Sequence, residues 1–149
     1  MDFVPDWAPN AHPLIVHFPI ALLSLAVLAS LVEVFVKREW LMKSRLWLYV
    51  LGSLSAVVSV LTGRSAADTV SPPFNAEMTL SQHADSAHLV MWYFVSFTLL
   101  QLILPKFLKT DGIWVRLAYF LVACFGLSIL ISAGDLGAKL VYKYGVGTP

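Results

Sequence analysis

The sequence predicts an all-α integral membrane protein, built as a four-helix bundle that forms one domain over residues 1–149. Hydrophobic residues make up 58% of the chain and charged residues 13%, whereas soluble domains have about 45–50% and about 25%. The apolar excess lies in four long runs and is not spread along the chain. As membrane-spanning helices, four such runs would use most of the chain.

The four apolar runs cover about residues 14–36, 46–62, 88–104 and 113–132. Each is near the length of about 20 residues that a helix needs to cross a hydrocarbon core of about 30 Å. Helices are expected because so short a chain cannot close a barrel, the other structure that satisfies backbone hydrogen bonds in lipid. Pro105 ends the third run and Gly112 opens the fourth.

The basic residues orient the predicted helices. Seven of the ten lie in the turn between the first and second runs or around the turn between the third and fourth: Lys37, Arg38, Lys43, Arg45, Lys106, Lys109 and Arg116. Because turns rich in Lys and Arg face the cytoplasm, we expect both termini to lie outside. No basic residue precedes the first run, which continues for a full span, so we expect an uncleaved anchor.

The composition argues against several functions. A net charge of +1 without a basic cluster gives no basis for nucleic-acid binding. The single cysteine, Cys124, lies inside the fourth run, which excludes a disulfide framework and a thiolate metal site. The chain also has no His-Glu-x-x-His, no nucleotide-binding loop and no CxxCH motif. These absences favour a role other than that of an enzyme.

An internal repeat of period 71 relates the two halves of the chain. It aligns His12 with His83 and His17 with His88, and it also pairs Arg45 with Arg116, Leu46 with Leu117 and Gly63 with Gly134. All four histidines of the protein therefore pair at one offset. We interpret the halves as two helix hairpins of the same orientation, related by a pseudo-two-fold axis along the membrane normal.

The four histidines are the strongest candidates for a functional site, because ionisable residues in spans are costly. All lie at the outer ends of the first and third helices. We expect His17 and His88 to face each other across the bundle as axial ligands of one haem b. His12 and His83, about one and a half turns nearer the surface, would orient these ligands or replace them.

Two alternatives need no haem. In one, His12, His17, His83 and His88 all surround a copper or zinc ion near the outer surface, because both metals accept imidazole ligands. In the other, the histidines only hydrogen-bond neighbouring helices, and the chain is a cofactor-free subunit of a larger membrane complex.

Three further residues bear on a haem site. Gly63 and Gly134 occupy equivalent positions, where glycine permits close approach of the backbone to a neighbouring group or a planar ligand; helix C-caps explain them equally well. Arg64 is the candidate partner of a haem propionate, with an ion pair to Asp68 or Asp85 as the alternative.

Glu33 lies about one turn before the basic turn that follows the first helix. We expect it to form an ion pair with Lys37, four residues later.

The stretch 11–23, with the sequence AHPLIVHFPIALL, resembles the opening of a family of small bacterial four-helix membrane proteins, known as domain of unknown function 2231. The third helix, with His83 and His88, and the ending 134–147 are similar to the rest of that pattern. The resemblance implies a four-helix, multi-pass protein of a bacterial membrane. In the inner membrane, the outward position that the basic residues predict for both termini is the periplasmic side. By analogy with membrane b-type cytochromes, it favours haem over a bare metal ion.

These observations predict a b-type haem protein that carries electrons at the outer, periplasmic face of the membrane. A quinone or a periplasmic cytochrome would exchange electrons with it, and it would act alone or within a larger membrane redox complex. The accessory subunit and the copper or zinc protein remain the alternatives.

Overall fold

The computed structural model describes residues 10–107 and 112–147. Five α-helices follow one another: α1 (His12–Ile15), α2 (His17–Phe35), α3 (Glu39–Ala67), α4 (Glu77–Ile103) and α5 (Ile113–Tyr142). Short 3₁₀ turns at Phe74–Ala76 and Leu104–Lys106 precede and follow α4. Lys109, one of the residues used to orient the helices, lies outside the described ranges.

Four helical segments are long and apolar enough to cross a membrane, and they confirm the four predicted spans. They are His12–Phe35, Glu39–Ala67, Phe74–Lys106 and Ile113–Tyr142. The helices extend beyond the predicted apolar runs at the end where α3 stops and α4 starts. The limits of the second and third apolar runs suggest an irregular loop over 63–87, and this interpretation is wrong: helix continues to Ala67 and resumes at Glu77. Hydropathy marks the part of a helix that lipid covers, whereas backbone hydrogen bonds continue into the polar turns.

The tail contains another such extension. The fourth apolar run ends at about residue 132 and the glycines that follow suggest irregular chain from Gly134 onward, but α5 continues to Tyr142. The chain then turns at Gly145, which has a φ of 65°, a left-handed conformation that glycine adopts without strain. The N–H groups of Gly145 and Val146 donate to the carbonyls of Val141 and Leu140, which satisfies groups that the helix end leaves unpaired.

The four long helices form a ring in which each one packs against two others. The contacting pairs are α2 with α3, α3 with α4, α4 with α5, and α5 with α2. The core contains large side chains from three helices, and Leu23, Tyr49 and Phe94 are fully buried. Small residues let the helices approach closely: a Cβ on Gly126 would lie 2.8 Å from Cδ1 of Tyr93.

The outward faces of the helices are apolar. Phe18, Leu28, Leu54, Phe125 and Ile131 are among the large hydrophobic side chains that the bundle leaves exposed. Such a surface is unfavourable in water and suits contact with lipid chains. The described residues thus support a multi-pass membrane protein that interacts with the bilayer.

The alternating helices give the bundle two ends that differ in chemistry. At one, which we call the histidine end, α1 and α4 begin and α3 and α5 finish. At the other, the arginine end, α2 and α4 finish, while α3 and α5 begin and carry Arg45 and Arg116 near their starts. These ends contain the two polar sites of the bundle.

Candidate ligand site at the histidine end

The histidine end brings together two imidazoles from different halves of the chain. The ring of His12, on α1, and the ring of His83, on α4, have centroids 6.4 Å apart and planes inclined at 73°. Both side chains are half-buried. The structure thus pairs two histidines that lie far apart in sequence, on two of the helix starts that meet at this end.

The ring of His12 is anchored to the last turns of α3. Its Nδ1 lies 3.3 Å from Oγ1 of Thr62. The hydroxyl proton of Thr62 is directed to the carbonyl of Val58 or Ser59, at 3.0 and 3.1 Å. The hydroxyl oxygen therefore accepts a hydrogen bond from Nδ1–H of His12. This places the ring proton of a neutral His12 on Nδ1 and leaves the lone pair on Nε2.

The ring of His83 is anchored in the same way to α5. Its Nδ1–H donates to the carbonyl of Ala133 at 3.0 Å, and a carbonyl can only accept. His83 and Ala133 are 50 residues apart, as are His12 and Thr62. The repeat that pairs the two histidines therefore also pairs Thr62 with Ala133. Neutral His83 carries its lone pair on Nε2, as His12 does.

A glycine lies against each of the two rings. A Cβ on Gly63 would stand 3.0 Å from Cε1 of His12, and a Cβ on Gly137 would stand 3.0 Å from Cε1 of His83. The close approach expected at Gly63 is thus present. Gly134 does not have this role, because a Cβ there would meet nothing within 4 Å. Helix continues through both Gly63 and Gly134, so the alternative that they are C-caps is wrong.

The structure does not bring His17 and His88 together in the same manner. His17 is exposed and forms no hydrogen bond with the described residues. Nδ1–H of His88 donates to the carbonyl of Ala84, one turn earlier in its own helix, at 2.8 Å. A step of five residues rotates a helix by about 140°, so His12 and His17 cannot both face the bundle interior. The geometry favours the shallower pair, His12 and His83, as the facing pair.

The four histidines do not form one cluster. Within residues 10–107 and 112–147, no three His, Cys, Asp or Glu side chains lie close enough together to hold a metal ion. The expected arrangement of four imidazoles around one copper or zinc ion is therefore not formed, for the rotational reason just given.

Arg64 lies next to Gly63 near the end of α3. Its side chain is exposed and forms no ion pair with Asp68, Asp85 or any other described residue. Asp135, on the other helix that finishes at this end, pairs with Lys139 at 2.5 Å. Arg64 is thus available to meet an anionic group at this end, and the role assigned to it stays a prediction.

The arginine end contains a second polar site, buried and built by all four long helices. The carboxylate of Glu33 on α2 pairs with the guanidinium of Arg45 on α3, and Arg45 also donates to Oε1 of Gln101 on α4. All three residues are at most 8% exposed. Nη1 of Arg116 on α5 donates to the backbone carbonyl of Glu33 at 2.6 Å. Burial of these charges in a bundle core requires such pairing.

Two tyrosines enclose the guanidinium of Arg45. Its Cζ lies 5.9 Å from the ring centroid of Tyr49 and 6.0 Å from that of Tyr119. The hydroxyl of Tyr49 forms a 2.8 Å hydrogen bond with Ser30. Arginine above aromatic faces is a favourable cation–π arrangement, which is stronger when water is excluded.

The sequence interpretation missed this second site. It paired Glu33 with Lys37 along one helix, whereas the carboxylate of Glu33 binds Arg45 of the next helix. A signal was present, because the internal repeat aligns Arg45 with Arg116. On its own, this alignment supports the repeat and a basic turn, and it does not show that the two arginines meet at Glu33. The convergence of both arginines on Glu33 depends on how α2, α3 and α5 pack.

Comparisons with known proteins place the chain in a family. A family model described as a predicted membrane protein, DUF2231, matches residues 8–149. No curated protein and no solved structure matches the chain. The family match covers nearly the whole sequence. It includes both histidine pairs and the two arginines of the arginine end, Arg45 and Arg116. With its four membrane-spanning helical segments, this chain belongs to the DUF2231 family of predicted membrane proteins.

Proposed function

We propose that this protein is a membrane b-type haem protein in which His12 and His83 supply the two axial ligands. It would carry electrons at the outer face of the membrane. One observation carries the proposal: the imidazoles of His12 on α1 and His83 on α4 lie next to each other, with ring centroids 6.4 Å apart. The proposed ligands differ from His17 and His88, the pair expected from sequence. The proposed haem binding and electron transfer are the same.

The spacing of the two rings fits a single ion between them. An imidazole nitrogen binds a metal at about 2.0–2.1 Å and lies about 1.1 Å from its ring centre, so two imidazoles on opposite sides of an ion have centres about 6.3 Å apart. The observed separation is 6.4 Å.

The hydrogen bonds of the rings also fit metal binding. Donation by Nδ1–H to Thr62 and to the carbonyl of Ala133 leaves both Nε2 atoms as potential ligands. Histidines that bind metals usually donate their other ring N–H to such a partner, which fixes the tautomer and the ring orientation. Anchoring to α3 and α5 thus prepares His12 and His83 for the same role.

Two protein ligands favour haem over a bare ion. Zinc sites take three or four protein ligands, but the described residues offer no group of three. Haem iron already has four porphyrin nitrogens and needs only two axial ligands. When bound, haem supplies one-electron transfer, and the chain's contribution is to hold the ligands, bury them partly and position them.

The proposal includes the symmetry and orientation expected from sequence. The matching hydrogen bonds of His12 and His83 support two helix hairpins related by a pseudo-two-fold axis. The basic residues near the arginine end support a cytoplasmic position for that end, with both termini on the periplasmic side of the inner membrane. A quinone or a periplasmic cytochrome could then exchange electrons at the histidine end.

The test is to express the protein in haem-replete cells and purify it in detergent. Reduced-minus-oxidised visible spectra and elemental analysis would be recorded on the same sample. The proposal predicts a b-type spectrum and about one haem per chain. A colourless protein with copper or zinc would favour a bare metal site, and a protein with neither would favour an accessory subunit of a larger membrane complex.

A further inference from the structure

We infer that the arginine end binds an anionic phospholipid, with its phosphate beside Tyr119 and Arg116 and an acyl chain in the groove between α4 and α5. The inference concerns a different site from the proposed haem site and does not depend on it. Three observations carry it. An apolar groove lies on the lipid-facing surface of the bundle, and a tyrosine borders both this groove and the buried charges. The buried site also has an excess of positive charge and hydrogen-bond donors without partners.

The groove is an open depression of about 370 Å³ near the arginine end. Leu100 and Leu104 line its α4 side, and Val115, Ala118 and Val122 line its α5 side. Phe97, Trp114 and Tyr119 complete the lining, which is almost entirely apolar. In a membrane such a groove faces lipid, so its natural occupant is a hydrocarbon chain.

Tyr119 connects the groove to the buried polar site. It lines the groove and also a narrow gap too small to admit a water molecule, whose other walls are Ser30, Glu33, Arg45 and Arg116. A headgroup above an acyl chain in the groove would therefore meet Tyr119 first and the arginines behind it.

The polar site has more positive charge and more donors than its own residues use. Two arginines, Arg45 and Arg116, share one carboxylate residue, Glu33. In the part of the chain that the structure describes, three buried atoms have no hydrogen-bond partner: Nε2 of Gln101, Nε of Arg116 and Oη of Tyr119. All three can donate. Unpaired buried donors are rare and costly, so they point to an acceptor that binds there.

The excess positive charge of the polar site indicates which class of amphiphilic molecule binds there. A neutral headgroup such as a quinone could accept hydrogen bonds but would leave the excess cation unbalanced. The phosphate of an anionic phospholipid, whose headgroup adds no compensating cation, supplies both acceptors and a negative charge. Basic pockets between membrane-spanning helices are known to bind such headgroups. The observations therefore favour phosphatidylglycerol-like lipids over phosphatidylcholine, whose headgroup is zwitterionic.

The experiment uses delipidated full-length protein in detergent and native mass spectrometry. The protein would be mixed with equal amounts of phosphatidylglycerol and phosphatidylcholine that have the same acyl chains. We expect one phosphatidylglycerol per chain to be retained, with about a fivefold preference, the size expected for one unbalanced basic charge near the headgroup. Tyr119→Phe, which removes only the hydroxyl, should reduce this preference.

Ala118→Phe fills the groove, and Ala138→Phe is its matched control, since Ala138 is also exposed on α5 but lies near the histidine end. We expect Ala118→Phe to lower the amount of retained lipid and Ala138→Phe to leave it unchanged, with both proteins folded by circular dichroism. Equal retention of the two lipids, equal behaviour of the two variants, or a co-purified quinone in place of phospholipid would each overturn the inference.

Discussion

Cε1 of His83 lies 3.0 Å from the position that a Cβ on Gly137 would occupy. This contact shows that the ring of His83 rests directly on the backbone of α5, and His12 rests on Gly63 of α3 in the same way. Together with the hydrogen bonds to Thr62 and Ala133, these contacts hold two imidazoles in place before any ligand arrives. Such preorganisation is what a ligand site requires.

Gly137→Ala should push the ring of His83 away from α5 and weaken the site. Alanine is intrinsically better than glycine within a helix by up to about 1 kcal/mol, but here the new methyl group meets the imidazole. We expect haem retention to fall, and the helix gain to be cancelled in thermal unfolding measured in detergent.

Gly134→Ala is the control for that substitution. It lies about one turn away on the same helix, and its Cβ would meet nothing within 4 Å. We expect haem content equal to that of the wild type and stability equal or higher by up to about 1 kcal/mol. If both variants behaved alike, the contact between Gly137 and His83 would have no functional meaning.

Thr62→Val should lower the affinity of the site while preserving side-chain volume. It removes the acceptor of Nδ1–H of His12, which fixes the tautomer that carries its lone pair on Nε2. Loss of such a supporting hydrogen bond typically costs about 10–100-fold in metal affinity. Haem titration of the apoprotein would measure the effect.

Ser65→Ala serves as the comparison for Thr62→Val, because Ser65 is an exposed hydroxyl near the end of the same helix and donates to the carbonyl of Leu61. Its haem affinity should equal that of the wild type. Unchanged affinity in Thr62→Val would show that the hydrogen bond to His12 does not support a ligand.

Glu33→Gln should destabilise the bundle strongly. It removes the negative charge that balances buried Arg45, and leaving a buried charge unpaired costs about 3–5 kcal/mol. Thermal unfolding in detergent should show a large decrease in stability. Glu39→Gln breaks an exposed pair with Lys43, and exposed pairs contribute little, so this control should unfold like the wild type. Equal stability of the two variants would mean that the ion pair of Glu33 is not buried.

Gly126→Ala tests the close packing of α4 against α5. Its Cβ would lie 2.8 Å from Cδ1 of Tyr93 and 2.9 Å from Cζ of Phe94, which is fully buried. Overpacking of this kind destabilises a protein by about 1–3 kcal/mol. This exceeds the stabilisation that the higher helix propensity of alanine provides. We expect lower thermal stability than in Gly134→Ala, where the same substitution meets open space. A Gly126→Ala protein as stable as Gly134→Ala would contradict the packing.

The number and location of the helices could be predicted from sequence, because lipid imposes long apolar runs that are visible without a structure. The ends of the helices were harder to predict from sequence, because α3 and α4 extend into residues that hydropathy assigns to a loop. The internal repeat identified the histidines as two matched pairs. It could not tell which pair faces inward, because that choice depends on the rotation of the first and third spans about their axes.

The arginine end shows a second limit of prediction from sequence. Each charged residue there has an unremarkable sequence neighbourhood, and pairing along a helix is the simplest expectation for Glu33. Its actual partner, Arg45, is set by the antiparallel packing of α2 on α3, and Gln101 and Arg116 arrive from two more helices. Contacts among four helices cannot be read from the spacing within one.

The most direct measurement of the central claim is the haem content of four single variants purified under the same conditions: His12→Ala, His83→Ala, His17→Ala and His88→Ala. If His12 and His83 are the axial pair, their two variants should lose the b-type spectrum, because each lacks one of the two ligands. His17→Ala and His88→Ala should keep about one haem per chain. Loss of haem in the His17 and His88 variants, with full retention in the other two, would contradict the account.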